Sequence, residues 1–386
     1  MSLKVAYCLP SLFSVGGMEK VLTLKANYFA EVLGYEIIII LTDGKDMGFA
    51  FPLSEKVRVI NLDINYNKIW GYKLIFKSLI YSYKQMLYRR RLSAVLHKIK
   101  PDITVSMLRR EINFITSIKD GSRKIGELHF NRINYRDFNT QGKSRGYKGI
   151  LSKLWMDQLI SKLKKVDKFV VLSYEDKERW HELNNVTVIY DPLSNFPDKT
   201  SDCTSKKVIA AGRFVNQKGF DLLIDSWKIV HRKHPDWILE IYGSGNPKQY
   251  LKQIAKNKIE KSCFIRDAVL NINEKYTESS IFAFSSRFEG FGMVITEAMS
   301  CGIPPVAFAC NSGPREIITD GVNGLLVTPE DVKGLAHKIC YLMENEEIRR
   351  EMGKKARERA NDFRIEKIAG QWDDLFREVL TKHKKV

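Results

Sequence analysis

The sequence contains no apolar run approaching the roughly 20 residues that a spanning helix needs. Its first apolar stretch, Lys4 to Leu9, ends at Pro10 and is too short for a signal peptide. The six cysteines (Cys8, Cys203, Cys263, Cys301, Cys310, Cys340) are scattered, with no C-x-x-C and no Cys/His cluster. That spacing disfavours a disulfide framework or a structural zinc and suits reduced thiols in a cytoplasmic protein. No Asp-x-Asp is present to clamp a metal on a diphosphate, so the expected metal complement is none. No Gly-Lys-Ser/Thr follows a glycine-rich turn, which excludes a Walker loop. Repeats of solenoid length and low-complexity tracts are absent as well. Acidic residues are missing altogether between Asp63 and Asp102, where nine Lys or Arg occur.

What is present is alternation. Short apolar runs of buried-strand length occur at Val5 to Leu9, Glu36 to Thr42, Val57 to Leu62, Ile103 to Ser106, Lys124 to Leu128 and Phe169 to Leu172. Helix-length stretches such as Glu19 to Leu33 and Lys153 to Leu163 lie between them. A segment rich in Pro, Ser, Asp and Thr follows. The alternation then restarts with Val208 to Ala211, Ile238 to Tyr242, Cys263 to Ile265, Ile281 to Ser285, Pro305 to Phe308 and Gly324 to Val327. Such a pattern predicts an α/β chain of two doubly wound parallel sheets, each covered by helices on both faces. The domains are placed at residues 1–192 and 206–363, with a linker at 193–205. The final helix, about 364–386, carries Ile365, Ile368, Trp372, Leu375, Phe376 and Val379 at helical spacing and is expected to pack on the first domain. Of the formal charge of +18, residues 1–190 carry most: 32 Lys and Arg stand there against 18 Asp and Glu. The first half thus meets something anionic or simply has a basic surface.

Ligands of parallel sheets sit beyond the strand C-termini, so the residues just after each strand carry the functional reading. The richest is Arg287-Phe-Glu-Gly-Phe-Gly-Met-Val-Ile-Thr-Glu297. It sets Glu289 and Glu297 across a glycine-bracketed loop that opens into a helix from about Met293. Carboxylates accept sugar hydroxyls, and free helix N-terminal amides attract phosphate. A ligand with both chemistries is a nucleotide sugar. Glu297 has a structural alternative, since a helix dipole favours any carboxylate near its start by about 0.3–1 kcal/mol; Glu289 in its loop has less. Gly212-Arg213 and Lys218-Gly219 follow the first strand of the second half, where Arg213 and Lys218 suit a diphosphate. Gly16-Gly17 with Glu19 follows the very first strand and alone reads as an ordinary strand–helix turn. Gly243-Ser-Gly245 lacks the third glycine of a dinucleotide fingerprint. His129 lies just after a strand, where a histidine is more often structural than a ligand.

Between Ile69 and Lys98, Ile69, Tyr72, Phe76, Leu79, Tyr83 and Met86 form one apolar stripe at helical spacing. Lys73, Lys77, Lys84, Arg91 and Lys98 form a second stripe beside it, with Tyr81 and Tyr88 along its outer edge. Cations with interfacial tyrosines predict a helix lying on an anionic bilayer, with Lys73, Lys77, Lys84 and Arg91 as the membrane contacts. The plainer alternative is a solvated face of a helix packed on its own sheet.

At these residues the chain resembles a family 4 retaining glycosyltransferase of the GT-B architecture, in which two Rossmann-like domains face each other across a cleft. The resemblance is carried from about Val208 to Val327 by Gly212-Arg213, Lys218-Gly219, Glu289-Gly-Phe-Gly292, Glu297-Ala-Met, Cys301-Gly-Ile-Pro304, Gly313-Pro-Arg-Glu316 and Gly321-Val-Asn-Gly324. It implies that Arg213 and Lys218 hold the donor diphosphate and Glu297 the ribose. Glu289 would contact the donor sugar, with Gly290, Phe291, Gly292, Met293 and Val294 presenting backbone near sugar and phosphate. Gly16 and Gly17 would approach the phosphate, and His129 would face the reacting sugar. The implied reaction retains anomeric configuration without a metal or other cofactor, the nucleotide sugar being a substrate. Front-side displacement is the usual proposal, with the leaving diphosphate taking the acceptor proton. Two departures appear. Phe264-Ile-Arg266-Asp267 continues where a glycine usually ends the base-binding strand, leaving uridine and guanosine open with UDP favoured. Tyr190-Asp191-Pro192 stands where Asn-Pro is common. The expected function is transfer of a hexosyl or N-acetylhexosaminyl group to a saccharide, lipid-linked at the inner membrane face, in cell-surface polysaccharide synthesis. The alternatives are another GT-B activity, such as a nucleotide-sugar epimerase, and a basic nucleic-acid-binding protein. Against the last, the cations are not interleaved with a recognisable RNA or DNA module.

Overall fold

The computed structural model describes residues 2–71, 74–135, 147–193 and 195–381. They form two compact units, one of Met1–Pro192 with Ile365–Val386 and one of Leu193–Arg364.

The N-terminal unit is built on a parallel sheet of seven strands: β1 (Lys4–Leu9), β2 (Glu36–Leu41), β3 (Arg58–Asn61), β4 (Ile103–Ser106), β5 (Arg123–Glu127), β6 (Lys168–Val171) and β7 (Val186–Val188). Their order is β3-β2-β1-β4-β5-β6-β7. β7 falls outside the sequence reading because its three residues are half-buried and too few to show a pattern. The Ile-rich run of β2 is buried from Ile37 to Leu41, as a central parallel strand must be when helices cover both faces. On one face Ala6, Cys8, Ile38 and Ile40 pack with Tyr88, Leu92 and Leu96 of the helix Leu74–Ile99. On the other, Val5, Tyr7, Ile37 and Ile39 pack with the helix Gly17–Glu31 and the final helix Ile365–Thr381. Trp372 and Phe376 of that last helix are fully enclosed, and Phe376 meets Phe29 edge-on with ring centroids 5.8 Å apart. Side chains of that size contribute about 1.5–3 kcal/mol each on burial.

The second unit holds β8 (Lys207–Ala211), β9 (Ile238–Gly243), β10 (Cys263–Asp267), β11 (Ile281–Phe284), β12 (Pro305–Phe308) and β13 (Leu325–Val327), all parallel, in the order β10-β9-β8-β11-β12-β13. The Pro/Ser/Asp/Thr-rich segment is fastened to this unit. Arg349, almost wholly buried, donates to the carbonyl oxygens of Cys203 (2.8 Å), Leu342 (2.6 Å) and Met343 (3.1 Å), and Ser201 donates its amide to Cys301 O.

In each sheet the first strand lies between its second and fourth neighbours in sequence, so the crossovers leave in opposite directions there. This opens a crevice beyond the C-terminal ends of β1 and β4 in one unit and of β8 and β11 in the other.

Candidate active site

The crevice of the second unit is formed by the loops after β8 and β11, stitched together by their own polar groups. Arg287 forks onto Asp221 (2.9 and 2.6 Å), donates to Asn216 O at 2.7 Å and meets Glu330 at 3.2 Å. Its amide donates to Gln217 O, and Ser285 Oγ donates to Lys218 O at 2.9 Å. Gly219 is required by two facts: its φ is +61°, and a Cβ there would lie 2.0 Å from the carbonyl oxygen of Ser285.

Lys218 and Glu289 meet within this frame. Lys218 Nζ lies 2.7 Å from Glu289 Oε1, which also accepts from Ser286 Oγ at 2.7 Å; Gln217 Nε2 stands 3.4 Å from Oε2. Both side chains are largely buried. The Lys218 ammonium also faces the Phe284 ring, 5.9 Å from its centroid. Arg213 is exposed at the C-terminal end of β8. Gly290 leads to Phe291, whose ring packs on Phe363, and to Gly292, which caps the helix Met293–Ser300 with φ +101°. Met293 and Val294 open that helix, and Glu297 sits one turn in, buried. Phe291 is pinned from behind by Gly313, where a Cβ would meet its carbonyl at 1.9 Å. Thus Lys218 and Glu289 are in contact, and Arg213 and the Gly292–Val294 turn rim the same strand ends. Ser286, Gln217 and the Arg287–Asp221 fork did not emerge from the sequence. Only their place directly after a strand signals them.

In the N-terminal unit Gly16 and Gly17 lead from β1 into the helix Gly17–Glu31. His129 is enclosed, its side chain 4% exposed, with Nε2 2.9 Å from Glu127 Oε1 and Nδ1 3.3 Å from Asp191 Oδ1. These contacts are close enough for charge pairing but not angled as hydrogen bonds. Lys25 donates to the same Glu127 and lies 4.2 Å from the centroid of the Trp372 ring. Burial works against a charged His129, but Asp191 and Glu127 overcome it and raise its pKa to about 9. Burial likewise works against the Glu127 carboxylate, and Lys25 and His129 bring its pKa down to about 2. The ring is therefore an imidazolium between two carboxylates.

The basic helix differs from its sequence reading. Lys73 lies outside the described residues. Lys84 and Arg91 are engaged by backbone carbonyls: Lys84 Nζ donates to Ile64 O and Asn65 O (2.7 Å), and Arg91, itself exposed, donates to Leu62 O (2.5 Å) and Asp63 O (3.0 Å). The cause is the loop after β3. Asp63 and Asn65 adopt left-handed backbone (φ +53° and +56°), turning carbonyls toward the helix, where the cations satisfy them. Lys77 is half-buried and has a partner of its own. Tyr88, placed by the sequence on the outer edge, is buried in the core. The apolar stripe faces outward, with Phe76, Leu79, Tyr83 and Met86 each at least 59% exposed. Arg89 and Arg90 are exposed beyond it. No described helix is long and apolar enough to cross a membrane.

Residues 194–359 match the family model described as glycosyl transferases group 1. An uncharacterized glycosyltransferase of Haemophilus influenzae is 33% identical over 214 residues, covering 54% of this chain and 61% of the relative. The amylovoran biosynthesis glycosyltransferase AmsD of Erwinia amylovora is 34% identical over 221 residues, covering 54% and 62%. The chain thus spans about three fifths of the length of these curated relatives. A crystal structure of a mutant of S. aureus TarM with Fondaparinux, alpha-GlcNAc-glycerol and UDP superposes with a TM-score of 0.76 at 18% identity. It covers 97% of this chain and 99% of that one. At that identity the likeness shows the fold alone: GT-B, two parallel-sheet Rossmann-like domains.

Proposed function

We propose that this protein is a retaining family 4 glycosyltransferase, a hexosyltransferase that moves a hexosyl or N-acetylhexosaminyl group from a UDP-sugar to a saccharide acceptor in polysaccharide synthesis. The observation that carries the reading is the meeting of Lys218 with Glu289, beside Arg213 and a glycine-capped helix start, at the switch point between β8 and β11. Arg213 and Lys218 supply two positive charges for a leaving diphosphate, which needs no metal in this reading, and the Gly292–Val294 amides add a helix terminus. Glu289 accepts from sugar hydroxyls and Glu297 from the ribose. In the transfer the bond from the anomeric carbon to the phosphate oxygen breaks and a bond to the acceptor oxygen forms on the same face. The acceptor proton passes to the departing phosphate oxygen. The protein contributes orientation and charge. UDP in the TarM complex supports the uridine donor, and AmsD's part in amylovoran synthesis supports a polysaccharide product.

A lipid-linked acceptor and a peripheral place on the cytoplasmic face of an anionic membrane belong to the same proposal. They rest now on the outward stripe of Phe76, Leu79, Tyr83 and Met86 beside Arg89 and Arg90, in the half of the chain that carries most of the positive charge.

The test is nucleotide release from a panel of UDP- and GDP-sugars. Slow release from one UDP-sugar is expected, falling about 10- to 100-fold in Arg213→Ala, the range for one or two charge-assisted bonds of about 1.5–3 kcal/mol. Unchanged turnover in that variant, whose exposed side chain leaves folding intact, overturns the site assignment.

A further inference from the structure

We propose that the crevice beyond β1 and β4 binds an anionic group, a phosphate or a carboxylate, carried by the saccharide acceptor, and that Arg109 and Arg110 are the residues that select it. This rests on the transferase reading for the word acceptor, while the anion preference stands on the pocket itself.

The pocket has a volume of about 580 Å³ and lies at the switch point of the N-terminal sheet, among the residues following β1, β2, β4 and β5. Its polar groups include Glu19, Asp43, Arg109, Arg110 and Asn113. The turn that presents the two arginines is built, not loose. Leu108 holds a left-handed φ of +50°, uncommon for a leucine, and its carbonyl accepts from the Tyr135 hydroxyl. Glu111, fully buried, spends its Oε1 on Ser106 Oγ (2.7 Å) and on the Arg109 amide (3.0 Å). One oxygen of the carboxylate next in sequence is therefore committed to the Ser106 hydroxyl and to the backbone.

Neither Arg109 nor Arg110 has a carboxylate at ion-pair distance among the described residues, although Glu19 and Asp43 line the same pocket. Elsewhere in this unit half-buried arginines are paired: Arg123 with Asp167, Arg132 with Glu182, Arg179 with Glu175. Asp43 is occupied with the Thr42 hydroxyl and the Asn67 amide. Arg109 Nε is buried with no hydrogen-bond partner, and its guanidinium lies 5.0 Å from the Phe130 ring centroid. Arg110 stacks 4.2 Å from the centroid of Tyr66. Arg109 Nη2 makes one weak contact, 3.8 Å to Met18 Sδ. Two planar guanidinium forks set on aromatic faces match the oxygens of a phosphate or carboxylate. Glu19, with Asn113, is left for sugar hydroxyls.

The experiment titrates the full chain, without donor, with a matched set of one disaccharide glycoside in neutral, phosphorylated and uronate forms. Titration calorimetry at low and at moderate salt is the readout. At least one acidic form is expected to bind about tenfold or more tightly than the neutral one, with salt weakening the difference. The better of the two identifies the group. Arg109→Gln with Arg110→Gln should bring the acidic form to the neutral level, and Arg109→Lys with Arg110→Lys should keep part of the preference, which shows that the fold tolerates the exchange. Equal binding of all three saccharides overturns the proposal, as does a preference that survives in the glutamine variant. Thermal stabilisation of the parent chain by UDP is measured separately. If UDP gives none, the transferase reading falls, while an anion preference lost with the arginines still stands.

Discussion

Substitution of Glu289 separates its hold on the loop from its proposed grip on the sugar. Its Oε1 accepts from Lys218 and Ser286, each at 2.7 Å, and Oε2 stands 3.4 Å from Gln217. Glu289→Ala removes every one of these acceptors and leaves a Lys218 ammonium whose side chain is only 14% exposed. Breaking an enclosed pair costs about 3–5 kcal/mol; because Lys218 still reaches water, about 2–3 kcal/mol is expected here. For a unit of this size each kcal/mol lowers the melting temperature by roughly 2–4 °C, so the transition of the second unit should fall by about 4–12 °C. Glu289→Gln keeps an oxygen for Lys218 and Ser286 and should cost about 1 kcal/mol. Both variants should lose about 10- to 100-fold in kcat/KM for nucleotide release, since a neutral amide binds hydroxyls less strongly than a carboxylate does. Scanning calorimetry and the donor panel read the two effects independently. Parental turnover in Glu289→Gln would refute the sugar contact. A parental melting temperature in Glu289→Ala would refute the structural part of the argument.

Three further outcomes follow from the N-terminal unit. His129, with its pKa raised to about 9 from an ordinary 6.5, adds stability that is complete below the unfolded value and lost as pH rises through the folded one. His129→Gln should therefore destabilise by about 3 kcal/mol near pH 6 and by much less near pH 10 in urea melts; an equal loss at both would show that its charge holds nothing. On the basic helix, Phe76→Ser with Leu79→Ser should cut co-sedimentation with anionic vesicles about tenfold or more, because each side chain contributes about 1.5–3 kcal/mol on burial. Lys84→Gln should lower the melting temperature and leave vesicle binding intact. The opposite pattern would return the membrane contact to the cationic stripe.

The division between sequence and tertiary structure runs along particular residues. Twelve of the thirteen described strands announce themselves as short apolar runs, the central ones because a parallel strand buried on both faces has no polar side to interrupt the pattern. Val186–Val188 does not, being a half-buried edge. The loop from Arg287 to Glu297 was legible because glycines with forced backbone, a loop carboxylate and a helix start are local properties of the chain. Its supports were not: Ser286 and Gln217 reach Glu289, and Asp221 reaches Arg287, only once β8 and β11 lie side by side. The helix Leu74–Ile99 shows the limit most plainly. Its two stripes follow from the helical period alone. Which cations are tied down was decided by the carbonyls of the Leu62–Asn65 loop, which accept from Lys84 and Arg91. Arg109 and Arg110 likewise look like ordinary surface cations in the sequence. Only the tertiary structure commits a Glu111 oxygen to Ser106 and the Arg109 amide and gathers two guanidinium groups in one pocket with no carboxylate at ion-pair distance among the described residues. Local pattern sets the period of each element, and long-range polar pairing sets which face it presents.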